Sequence, residues 1–136
     1  MKKITIISLL VLATASCKKT TSVLPSPSPK DLILGNWTSK NTEIKQFKGE
    51  ALIKDTVMSL EPASSLAFES NDTVTITLNL GIPTINNYGF IDNKILLVDY
   101  TPFYIITLNN KQLSYLISAK VSKDTVTQTI VTYEKN

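Results

Sequence analysis

The side chains able to do covalent or coordination chemistry are few. The 136-residue chain has one cysteine, Cys17, no histidine and no arginine. Without histidine the commonest general base and the commonest metal ligand are both missing. One thiol cannot build a zinc site of nitrogen and sulfur ligands, nor a disulfide within the chain. No serine has a histidine to activate it, and the 11 acidic residues fall in no recognisable catalytic pair. The reading is of a protein that is not an enzyme and uses neither metal nor cofactor. Two kinds of side chain remain as functional candidates. One is the Cys17 thiol; the other is a set of aromatics, Tyr88, Phe90, Tyr104 and Tyr115, placed to line a ligand cavity if their strands turn them inward.

The setting of Cys17 gives it a chemistry. Lys2 and Lys3 precede the apolar run Ile4 to Ala13, and the small residues Thr14-Ala15-Ser16 lead to the cysteine. A basic start, a short apolar stretch and a small-residue cleavage site make a secretory signal over residues 1–16. The run is too short for a transmembrane helix, which needs roughly 20 apolar residues. Leu12 to Cys17, LATASC, resembles the lipobox of bacterial lipoprotein precursors, with Ala15 and Ser16 at the expected small positions. Thr14 stands where the strict pattern has Leu, a looser form common in Bacteroidota lipoproteins. The resemblance implies cleavage before Cys17, diacylglycerol on its thiol and a further acyl chain (palmitate or similar) on its amine. Several acyl chains anchor stably where one binds marginally. Basic Lys18 and Lys19 stand where surface-export signals of such lipoproteins are acidic, which implies a cell-envelope location on the periplasmic face of the outer membrane. Residues 17–30 read as a tether, since Pro25, Pro27 and Pro29 alternate with serine and favour an extended chain.

Residues 31–136 read as one all-β domain. With Lys2 and Lys3 set aside, 12 lysines face 11 acids, so no basic surface suited to nucleic acid is expected. Period-two alternation recurs where a helical stripe does not. In Asp72 to Leu80, Val74, Ile76, Leu78 and Leu80 share one face. Further strands are expected at Trp37 to Phe47, Ala51 to Leu60, Ser65 to Glu69, Tyr88 to Ile91, Lys94 to Tyr100, Phe103 to Leu108, Gln112 to Lys120 and Thr125 to Tyr133. Turns are expected at Asn71-Asp72, Asp92-Asn93 and Asn109-Asn110. Short connections favour an antiparallel up-and-down meander, closing into a small barrel or, alternatively, stacking as a two-sheet sandwich.

Leu32 to Trp37, LILGNW, resembles the G-x-W signature of lipocalin-like domains. That likeness implies a short helical turn leading into the first strand, with Gly35 at the tight approach and Trp37 plugging the closed end of a barrel. It also implies a cation over the tryptophan, supplied in that family by arginine, for which Lys135 is the candidate here. By this resemblance the domain binds a small hydrophobic ligand, with Tyr88, Phe90, Tyr104 and Tyr115 as candidate contacts. The alternative is a structural or protein-interaction lipoprotein of the envelope, an accessory subunit or inhibitor, with no pocket and with the loop Gly81 to Asn87 as candidate surface. Mass and lipid analysis of the protein from native membranes is expected to show a chain beginning at acylated Cys17, with Cys17→Ala left unprocessed or released. A soluble chain cut elsewhere would contradict the lipoprotein reading.

Overall fold

The structure, a computed structural model, describes residues 25–59, 63–79 and 81–136. The expected signal segment, Cys17 and the tether up to residue 24 lie outside the described residues.

A single helical turn, α1 (Pro29–Ile33), opens the domain. Ser28 caps it: its hydroxyl oxygen accepts from the Asp31 amide at 3.2 Å, and its own amide donates to the Asp31 carboxylate at 3.1 Å. The Ser28 hydroxyl also donates to the Asp31 carboxylate at 2.6 Å, and this bond, then the one from the Ser28 amide, holds the Asp31 carboxyl below its usual pKa. Pro29 at the first helical position gives up an N–H that would have no helical partner anyway. Residues 28–30, expected above to belong to a tether, are instead the cap and first residues of α1.

Nine antiparallel strands follow among the described residues: β1 (Gly35–Lys48), β2 (Ala51–Met58), β3 (Ser65–Phe68), β4 (Thr73–Thr77), β5 (Thr84–Ile91), β6 (Ile95–Val98), β7 (Thr101–Leu108), β8 (Gln112–Lys120) and β9 (Thr125–Lys135). Their order is β2-β1-β3-β4-β5-β6-β7-β8-β9, and β1 also pairs with β9. That pairing closes eight strands into a barrel and leaves β2 outside as an extra strand. The barrel expected from the sequence is the fold found, rather than the sandwich.

Strand alternation fills the interior. Trp37, Leu66, Phe68, Val74, Tyr88, Leu96, Val98, Leu113, Tyr115, Val131 and Tyr133 are buried there, with Ile33 of α1 beneath them. Eight strands leave a lumen about as wide as its own side chains need. The expected turns form where short polar side chains tolerate left-handed backbone. Asp72 and Asp92 have φ of 65° and 54°, and Asn109 Oδ1 accepts from the amides of Lys111 and Gln112 at 2.9 Å each.

Three boundaries differ from expectation. β4 ends at Thr77, so Leu78 is exposed instead of continuing the inward face. Thr84 to Asn87, assigned above to a loop, pair with β4 as the start of β5. Asp99-Tyr100, assigned above to the end of a strand, is a two-residue hairpin turn with both residues at positive φ. In the last two cases neighbouring strands override weak local preference.

The end carrying α1, here the proximal end, is closed by three interlocking contacts. The Trp37 indole N–H donates to the Ile33 carbonyl at 2.6 Å. The Lys135 ammonium lies 5.1 Å from the Trp37 ring centroid and donates to the Leu32 carbonyl at 3.0 Å. Lys135 therefore occupies the place that the G-x-W resemblance assigns to a cation. Gly35 has φ 109°, and a Cβ there would meet the Lys135 side chain at 3.2 Å. Gly35→Ala is expected to cost about 1–3 kcal/mol through backbone strain. Lys135→Ala should cost about 1–2 kcal/mol, as it removes a cation–π contact and a charged hydrogen bond. Thermal unfolding of the two variants checks both values.

Candidate functional site

The four aromatics named from the sequence do not share one site. Tyr115 is inside the barrel, edge-on to Phe103 at 4.9 Å and stacked on Tyr133 at 5.8 Å, with the two tyrosine hydroxyls 3.4 Å apart. The free space it borders is about 30 Å³, shared with Phe68, Leu96 and Phe103 among others. That is room for about one water, against the several hundred Å³ of a usual small-molecule site. Burial, with Tyr133 beside it, pushes the Tyr115 hydroxyl well above its usual pKa.

Tyr88 and Phe90 are brought together, in a different place. Both line a proximal hollow of about 290 Å³ between the start of α1 and β5, with Ser28, Pro29, Lys30, Asp72 and Asn93 around it. The Tyr88 hydroxyl donates to the Glu69 carbonyl at 3.0 Å, and its ring packs edge-on against Phe68. Desolvation, and then the Asp72 carboxylate, raise its pKa. At the rim, Lys30 Nζ and Asp72 Oδ1 pair at 2.6 Å, with both side chains about half exposed.

Tyr104 needs correction as a cavity residue. It pairs with Ile95 and Leu116 on the outer wall and is 49% exposed. The inward positions of β7 are Phe103 and Ile105. A cluster of aromatics in sequence does not reveal which of two neighbouring residues a strand turns inward.

The feature not expected from the sequence is at the opposite, distal end. β1 meets β3 only over Gly35 to Thr38, then bulges between Ser39 and Asn41. Bulges favour barrel rims, where they bend a strand out of register. Here the bend is stitched by buried serines: the Ser39 amide donates to the Ser64 carbonyl, and the Ser64 amide to the Ser39 hydroxyl oxygen, both at 2.8 Å. Beyond it β1 exchanges β3 for β2, over Thr42 to Lys48. On the other side β8 runs on past its last β7 partner, at Leu116, to Lys120, paired with β9 throughout. The result is a four-stranded sheet, β2-β1-β9-β8, continuing past the barrel rim, with an edge on β2 that no strand among the described residues pairs.

Exposed large hydrophobic side chains gather at this end. Leu52, Ile53, Val57, Met58, Ile117 and Val121 belong to the extended sheet and its hairpin, and Leu78, Ile82 and Tyr100 to the other distal turns. Among the described residues, Ile85, Ile91, Tyr104 and Ile106 of this class lie on the barrel wall or at the proximal end. A sequence signal existed in β2, whose apolar residues fall on both faces, unlike a half-buried strand. No protein-family model matches the chain, and no curated protein matches its sequence.

The buried Tyr115 sets a pH dependence. The folded chain keeps its proton above pH about 10, where an unfolded tyrosine ionises. The folded state then binds more protons than the unfolded state, so stability falls as pH rises further, by about 1.4 kcal/mol per unit. Denaturant unfolding between pH 9 and 12 should show a shallower decline in Tyr115→Phe than in the parent chain.

Proposed function

We propose that this chain is a lipid-anchored lipoprotein of the cell envelope that engages a protein partner through its distal sheet. The observation that carries this reading is the gathering of exposed apolar side chains at the end opposite α1, on a barrel whose interior has room for about one water. Isolated exposed hydrophobics are ordinary, whereas a gathering on one end marks an interaction surface. The tether enters at α1, so an anchor on Cys17 places the membrane at the proximal end and the apolar sheet away from it. The roughly eleven residues from Cys17 to Ser28 reach at most about 40 Å when extended. That is enough to hold the barrel clear of the headgroups.

The β2 edge adds direction to the surface. An edge strand offers unpaired N–H and C=O groups, which an extended partner segment can continue as a further strand. Lys54, Asp55 and the irregularity at Gln46/Phe47 interrupt the edge and limit uncontrolled pairing.

A second reading rests on the proximal hollow. Tyr88 and Phe90 there give a small hydrophobic ligand a mixed aromatic and polar site at the low end of usual volumes. The tether-proximal Lys30–Asp72 pair would border it.

A photo-crosslinking side chain at position 52, on the full-length protein in native membranes, is expected to give one discrete adduct. The same probe at position 106, on the lateral wall, should give none. Val57→Lys should abolish the adduct while changing stability by no more than about 0.5 kcal/mol, as expected of an exposed site. Equal labelling from both positions, or an adduct insensitive to Val57→Lys, would sink the distal-sheet reading.

A further inference from the structure

Tyr100 is 96% exposed, and its backbone lies at φ 70°, next to Asp99 at φ 43°. With β6 ending at Val98 and β7 starting at Thr101, these two residues form the hairpin turn that requires positive φ at both positions. Glycine and asparagine serve such turns without strain, and a bulky aromatic does not. The chain thus holds a large ring in full solvent at a strained position.

The ring borders a hollow of about 290 Å³ lined by Asn87, Tyr88, Gly89, Leu97, Asp99 and Tyr100. Gly89, paired with Leu97 across β5 and β6, keeps it open: a Cβ there would meet nothing within 4 Å. The polar side is held in place. The Asn87 amide donates to Asp99 Oδ1 at 2.8 Å, and the Asp99 amide donates to the Asn87 carbonyl at 3.0 Å. The second Asp99 carboxylate oxygen has no hydrogen-bond partner among the described residues.

We propose that this hollow is a saccharide subsite taking a β-linked, gluco-configured pyranose. In such a ring the hydroxyls are equatorial, so both faces present only C–H bonds, which suit the negative face of an aromatic. The hydroxyls then point sideways, toward the rim formed by the Asp99 carboxylate and by Asn87. No cationic side chain lines the hollow, which disfavours an anionic ligand. The volume lies at the low end of small-ligand sites and suits one or two sugar rings. This site is separate from the β2 edge and stands whether or not the distal sheet binds protein.

The test is calorimetric titration of the full-length protein in detergent with cellohexaose and with chitohexaose. Saturable binding of at least one is expected, with Tyr100→Ala about tenfold weaker from the lost stacking. Gly89→Val should weaken binding by filling the hollow while leaving the melting temperature equal or higher. Tyr100→Gly should weaken binding to the same extent while raising the melting temperature, because glycine takes the positive φ without strain. Absence of binding to both sugars, or binding undiminished in Tyr100→Ala and Gly89→Val, would overturn the proposal. So would a protein partner that needs Tyr100 in a chain that binds neither sugar.

Discussion

The ladder between β1 and β9 is the constraint on which the rest of the molecule depends. It runs from Trp37 opposite Lys135 to Lys48 opposite Thr125. At its proximal end it closes the barrel and places the Lys135 cation on the same face as Trp37, which is why the ring has a cap. At its distal end the same two strands outrun their barrel neighbours and carry β2 and the end of β8 with them. A slip of one residue in β9 would turn Val131 and Tyr133 outward while Trp37 stayed inward, so the buried face fixes the register. Closure of the core and extension of the sheet are two consequences of one pairing.

A filled lumen then shifts the weight of function outward. Eight short strands enclosing Trp37, Phe68, Tyr88, Phe103, Tyr115 and Tyr133 leave about 30 Å³ free. Tyr115, which looked from the sequence like cavity lining, is instead part of the packing that fills the lumen. An internally filled barrel has its outer surfaces to offer, and most of the exposed large apolar side chains lie at the end away from α1.

The sequence made much of this legible, and the parts it hid have physical reasons. Alternation identified the strands because a closed barrel buries one face of each, as in Val74 and Ile76 of β4. Gly35-Asn36-Trp37 pointed to the closed end because φ 109° and a buried indole both need those residue types. Asp72 and Asp92 marked turns through their tolerance of left-handed backbone. Tyr100 did not, because nothing in a tyrosine announces positive φ. The inward or outward sense of Tyr104 depended on a register that only the β6 and β7 partners set. The bulge at Ser39–Asn41, and with it the extended sheet, depended on the pairing of Ser39 with Ser64, 25 residues away. Local pattern cannot foresee such a contact.

Amide hydrogen exchange on the isolated full-length protein tests the central claim most directly: a closed barrel presenting a free distal edge. The account predicts slow exchange in β9 and in Trp37 to Ser39, where strands flank both sides. In β2, amides directed away from β1 should exchange at nearly unfolded rates. Uniform protection of β2, matching that of β9, would show the edge already covered and would contradict the account.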